Sequence, residues 1–173
     1  MDAMKQRPTR RSDETSVETR LRELGFDLPP VPDPIGSFEL GVIDGHRLIL
    51  SGQGPLMEDG ALARGKVGGG VSTEAAYLHA QRTGLVLIAA MKAVLGDLAH
   101  VDRILRVFGM VNATPDYEDH PKVIDGCSDL FRDAFGARGR HARCAIGVGS
   151  LPGNISVEIE ATVAISPNWR ERS

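Results

Sequence analysis

Apolar and polar residues change their spacing several times along the chain, and each change marks an element. Val17, Leu21 and Leu24 recur at helical spacing, Thr15 and Glu18 stand as in a capping box, and Gly25 follows as a stop signal, which predicts a short helix. Residues 28–34, LPPVPDP, hold too much proline for a helix or a central strand and predict an extended connector. Two β-rich runs, 37–43 and 46–51, flank Asp44-Gly45, a strong hairpin signal, and SGQGP at 51–55 closes the second run. A glycine-rich stretch at 65–70 leads to a long helix over about 73–95, stopped by Gly96. Its second half, LVLIAAMKAVL, is apolar nearly all round and is expected to lie buried across a sheet.

A strand over about 103–111 comes next, followed by the loop ATPDYEDH. Pro121 opens a second helix over 121–135, which is expected to bury Val123, Ile124, Cys127, Leu130, Phe131 and Phe135 before Gly136 ends it. Residues 141–165 read as two strands joined by a Leu-Pro-Gly-Asn turn. The order β-β-(short β)-α-β-α-β-β predicts an α+β fold, a mixed β-sheet with two helices packed on one face. The expected division is a disordered tail at 1–14, a helical extension and proline-rich connector at 15–34, one domain at 35–166, and a tail at 167–173.

Composition narrows the function. A chain of 173 residues with 42% apolar and 25% charged residues suits one soluble domain with its own core. Its 20 basic and 23 acidic residues give a net charge of −3, so no nucleic-acid partner is expected, and Lys5, Arg7, Arg10 and Arg11 read as a solvated tail. Two cysteines, Cys127 and Cys144, are too few for a disulfide scaffold or zinc cluster, which points to the cytoplasm. No secretory signal or membrane-spanning run is read, and the five histidines lack ligand spacing, so neither membrane nor metal is expected. Residues 60–66 match the first part of a P-loop, but Val67 replaces the Ser or Thr that would reach Mg²⁺. Gly147-x-Gly149 lacks the third glycine of a dinucleotide fingerprint, and no nucleophile elbow is present. Asp116, Glu118 and Asp119 read as a solvated loop rather than a cation site.

The remaining candidates lie in the last two strands. Val157, Ile159, Ala161, Val163 and Ile165 alternate with polar or small residues, so Glu158 and Glu160 share the less apolar face, where solvation is the alternative to a functional role. Arg143, Ala145, Gly147 and Gly149 share a face of the preceding strand, and small residues beside an arginine leave space for a small carboxylate held by its planar fork. The competing reading is an ion pair between Arg143 and one of the glutamates. A carboxylate such as Glu158 beside bound substrate would orient and deprotonate a water. If the two strands formed a plain hairpin about Pro152-Gly153, Arg143 would face Thr162 and lie about 13 Å from Glu158. Either the strands are not neighbours, or the two residues meet across a subunit boundary.

These residues resemble the Rid family, the YjgF-type reactive-intermediate deaminases. The resemblance rests on Arg143 in RCAIGV, the LPGN turn, VEIEA, and the fifteen positions from Arg143 to Glu158. SGQGP resembles the family's S-G-Q-x-P, and Gly36-Ser37-Phe38 resembles its G-P-Y; the similarity spans about 35–165. VNATPDYEDHPKVIDGCSDLF with FGARGRHAR is similar to a divergent branch, the YjgF-like-1 group. The resemblance implies a chorismate-mutase-like fold and a homotrimer with its sites between subunits. It also implies hydrolysis of enamine or imine intermediates to 2-keto acids and ammonia, with no cofactor. Arg143 would hold the carboxylate of the substrate and Glu158 would position water. Ser51, Gly52, Phe38, Cys144 and Asn112 would complete the binding set. Phe38 replaces a tyrosine of active members, and their Asp-x-Asn is absent, with Asn112 the nearest residue. The alternatives are a non-catalytic carboxylate-binding regulatory module and an endoribonuclease-type translation inhibitor.

Overall fold

The computed structural model describes residues 16–31 and 33–169. The expected tail at 1–14 with its basic cluster, the Thr15 cap, and the end of the C-terminal tail lie outside the described residues. The first helix, α1, spans Val17–Glu23. Its cap is Ser16, whose Oγ accepts the Thr19 N–H at 3.2 Å. Gly25, at φ +83°, closes the other end: its N–H donates to Arg22 O and the Phe26 N–H donates to Leu21 O, which satisfies two terminal carbonyls. Val17 and Leu21 are buried, whereas Leu24 turns outward.

The remaining elements are β1 (Gly41–Asp44), β2 (Arg47–Gln53), α2 (Thr73–Leu95), β3 (Val101–Asn112), α3 (His120–Phe135), β4 (Ala142–Val148) and β5 (Val157–Ile165). The first strand is shorter than its sequence suggests, because residues 37–40 bend away before pairing begins at Gly41. Asp44 is the last paired residue, opposite Arg47. Gly45-His46 therefore forms the two-residue turn, and Gly45 at φ +59° takes the position where a side chain would be strained.

The strand order is β1-β2-β5-β3-β4. The last two strands are thus not neighbours, since β3 separates them. β4 runs parallel to β3, and β5 runs antiparallel to both β2 and β3. A parallel pair needs a long crossover, and α3 supplies it between β3 and β4.

α2 and α3 cover one face of this sheet, as the sequence leads one to expect. Residues 85–91 of α2 are buried on every side, and Val123, Ile124, Cys127, Leu130, Phe131 and Phe135 of α3 join the same core. Strand residues Leu48, Leu50, Val107, Val111, Val157, Ile159 and Val163 meet the helices from below. The opposite face leaves Val42, Ile49 and Ile146 substantially exposed. No described helix is long and apolar enough to cross a membrane.

The two long helices touch through glycines. A Cβ on Gly126 would collide with the Tyr77 carbonyl, and one on Gly84 would press on Leu130 at 2.9 Å. Replacing Gly126 with alanine raises helix propensity by about 1 kcal/mol but forces the backbones apart, an overpacking cost of about 1–3 kcal/mol. Gly126→Ala is expected to lower the urea midpoint, and an unchanged or higher midpoint would show that the helices do not rely on this close approach.

Candidate active site

Two walls carry the functional candidates. The first is built by β2 and β5 on the face away from the helices. Leu50 pairs with Ala161 and Gln53 with Ile159, so Ser51 and Gly52 form a bulge opposite one residue of β5. The bulge brings Gly52 onto the Glu158 carboxylate so closely that any side chain at 52 would strike Glu158 Oε1. Ser51 points elsewhere, its hydroxyl donating to Glu39 O at 2.6 Å and fixing the segment ahead of β1. Glu158 is partly buried; burial, and then the neighbouring Glu160, raise its pKa above the ordinary carboxylate value. Glu160 in turn sits 3.4 Å from Arg106, whose guanidinium lies over the Phe108 ring.

The second wall is the edge strand β4 with α3. Arg143 pairs in register with Val107, a core residue, and so faces the helix layer. Its Nη1 donates to Asp125 Oδ1 at 2.7 Å and to Ser128 Oγ at 3.1 Å. The expected alternative of an ion pair is realised, but with Asp125 of α3 rather than with a glutamate of β5. Behind Ser128 stands His141. Its Nδ1 lies 2.7 Å from Gly139 O, and that carbonyl requires the proton to be on Nδ1. Nε2, 3.0 Å from Ser128 Oγ, is left as the acceptor of the Ser128 hydroxyl. Burial lowers the His141 pKa, opposed by the Gly139 bond and reinforced by Arg143 and Arg132, so the imidazole stays neutral near pH 7. Arg143 is thus clamped on one side, with a recess of about 340 Å³ beside it lined by Ser128, Arg132, Arg140, His141 and Arg143.

The space next to Arg143 is not where the small residues of β4 predict it. Ala145 packs against the core, and the position over Gly147 is filled by the His120 ring. The recess opens toward α3 instead. Asp125, Ser128 and Arg132 recur at i, i+3 and i+7 on a helix otherwise read for its apolar stripe. That polar edge is the sequence signal from which they could have been found.

Within one chain the two walls do not meet. Arg143 pairs with Val107 and Glu158 with Met110, so β3 lies between them and they are three residues out of register. That is about 10 Å across and about 10 Å along the sheet. Because the offset is odd, their side chains also leave opposite faces.

The other candidates are scattered. Cys144 lies exposed on the uncovered face, in one cross-strand row with Phe108 and Glu160. Phe38 is half-exposed in the bend before β1, its ring against Gly36. Asn112 is fully buried and its amide is fully engaged: Nδ2 donates to Asn154 Oδ1 and Ile155 O, and Oδ1 accepts from Lys66 Nζ, each at 3.0 Å. Lys66 also donates to Gly149 O at 2.6 Å, so the lysine of the P-loop-like run is a tie between loops. Burial pushes the Cys127 thiol far up, despite Arg143 nearby, which leaves it an inert core residue.

The family described as "YjgF/chorismate_mutase-like, putative endoribonuclease" matches residues 18–159. Protein TCP17 of Trypanosoma cruzi is 34% identical over 151 residues, 87% of this chain and 94% of its own. A 2-iminobutanoate/2-iminopropanoate deaminase of Dermatophagoides farinae is 29% identical over 137 residues, 79% of this chain and 92% of its own. Among solved structures, a protein of unknown function from Agrobacterium tumefaciens superposes with a TM-score of 0.81 at 40% identity, covering 87% of this chain and 92% of that one.

His141 and His79 are both held neutral, each with a pKa lowered by burial. Acid therefore protonates the unfolded chain first. The stability these groups contribute is full above about pH 6.5 and is lost as pH falls towards their lower folded values. Urea midpoints are expected to drop between pH 7.5 and 5.5. The His79→Gln/His141→Gln double variant should show a flatter dependence; an equally steep one would contradict the neutral assignment.

Proposed function

The chain belongs to the YjgF/Rid family, with its chorismate-mutase-like fold, and on that premise we propose that it hydrolyses enamine or imine intermediates to 2-keto acids and ammonia. The site is assembled between subunits of a homotrimer. One subunit supplies Arg143, held by Asp125 and Ser128, and the next supplies Glu158 seated on Gly52. The observation that carries this reading is the placement of Arg143 and Glu158 on opposite faces of one sheet. A carboxylate grip and a base thus separated serve one small substrate when a second copy closes the gap. The uncovered face with Val42, Ile49 and Ile146 and the outer edge of β4 are surfaces on which a second copy fits.

Arg143 keeps Nε and Nη2 for the substrate carboxylate, because Nη1 is already engaged. Glu158, with its raised pKa, takes a proton from water as the oxygen adds to the C=N carbon. It returns that proton to nitrogen, completing the carbinolamine. It then carries the carbinolamine hydroxyl proton to nitrogen as the C–N bond breaks, the C=O forms and ammonia leaves; an enamine reacts as its imine tautomer. The relative from Dermatophagoides farinae is named for this chemistry. A second reading, binding of a small carboxylate without turnover, draws on Phe38, which offers no hydroxyl, and on Asn112, whose amide is fully used inside the chain.

Imines generated in the assay by an amino-acid oxidase are expected to yield 2-keto acid faster with the protein than in buffer. No acceleration across several amino acids, with 2-keto acid still bound, would favour the second reading. Glu158→Gln should lower kcat by about 10²–10⁴, whereas Arg143→Ala should act mainly on KM. After confirmed subunit exchange, an equal mixture of Arg143→Ala and Glu158→Ala proteins should regain roughly a quarter of the sites; no recovery would sink the shared-site geometry. Removing the like charge with Glu160→Gln lowers the Glu158 pKa, so the acid limb of the rate profile should move to lower pH.

A further inference from the structure

The recess beside Arg143 holds more positive charge than one carboxylate needs. Among the described residues its lining has three guanidinium groups and no Asp or Glu. The two neutral members add no negative charge, since the Ser128 hydroxyl donates to His141 and His141 donates to Gly139 O. Of the three arginines, Arg143 is matched by Asp125 at 2.7 Å. Arg132 is held by Asp129 at 3.5 Å, a pair that is half-exposed and therefore weak. Arg140 has no side-chain hydrogen bond or ion pair among the described residues. This concentration of cations occurs in a chain whose net charge is −3. At about 340 Å³ the recess reaches the size of small-molecule sites and exceeds what a three-carbon acid fills.

Resting on the reading of Arg143 as the holder of the substrate carboxylate, we propose that the substrate is a small dianion whose second anionic group, a carboxylate or a phosphate, is held by Arg132 and Arg140. Guanidinium groups suit both, because their planar donors match two oxygens of either anion. Arg132 projects from α3 and Arg140 from the segment entering β4. The two therefore flank Arg143 from different elements and define a second subsite on the same wall. Selectivity would come from this pair, while Arg143 would serve every substrate.

Calorimetric titration of the full chain at one fixed ionic strength tests this. The probes are 2-oxobutanoate as the monoanion, 2-oxoglutarate as the dicarboxylate and phosphoglycolate as the acid whose second anionic group is a phosphate. Two half-exposed charge pairs of about threefold each combine to about tenfold, so at least one dianion should bind about tenfold tighter than 2-oxobutanoate. Which dianion does so identifies the second group. Arg132→Gln/Arg140→Gln should erase the preference, bringing the dianions down to the affinity of 2-oxobutanoate for the same variant, Arg140→Lys should retain part of it, and Arg22→Gln/Arg47→Gln should change nothing. Equal binding of all three probes, or a preference that survives the Arg132/Arg140 double variant, overturns the proposal. The readout is binding, so a dianion preference without imine hydrolysis overturns the deaminase reading alone, and imine hydrolysis without the preference overturns this inference alone.

Discussion

The parallel pairing of β3 with β4 is the constraint from which the candidate site follows. A parallel partner cannot be reached by a tight turn, so the chain must cross the sheet through α3 before β4 begins. That crossover lays Asp125 and Ser128 over the start of β4, where they meet Arg143. It also pushes β5 to the other side of β3, which gives β5 two antiparallel neighbours and the most protected position in the sheet. Without the crossover the last two strands would pair as a hairpin, and neither the clamp on Arg143 nor the recess beside it would exist.

Two kinds of preorganisation result. Glu158 is set by backbone: the bulge at Ser51 and Gly52 draws β2 against its carboxylate, and burial together with Glu160 makes its proton easier to keep. Arg143 is set by side chains, through a carboxylate and a hydroxyl that is itself fixed by a neutral imidazole. A guanidinium held on one side has less freedom to lose when an anion binds on the other. The cost is that Asp125 offsets part of its charge, while Arg132 is only weakly paired and Arg140 has no side-chain partner among the described residues.

Local signals in the sequence suffice where one element decides the outcome. The span of α2, the apolar face of α3 and the alternation in β5 follow from periodicity and from Gly96 and Gly136, and the structure has them. The pairing of β4 with β3 was not legible, because the LPGN turn looks the same whether its flanking strands are neighbours or not. For the same reason the sequence left open two possible causes for the separation of Arg143 and Glu158. Asp125, Ser128 and His141 do not stand out singly in the sequence; a helix residue, a hydroxyl and a histidine become a clamp only when the crossover places them together. Asn112 shows the reverse case, a polar residue that looked available and proved to be tied into Lys66, Asn154 and Ile155.

Strand alternation has one more consequence, for variation within the fold. From Arg106 onward in β3, and through β4 and β5, odd-numbered residues such as Val107, Arg143 and Ile159 face the helices, while even-numbered ones such as Phe108, Cys144 and Glu158 face away. The two walls are therefore interleaved in sequence yet separate in space. A substitution at an even position alters one wall without touching the packing behind the other. The wall that carries Arg143 and the wall that carries Glu158 can therefore vary independently of each other.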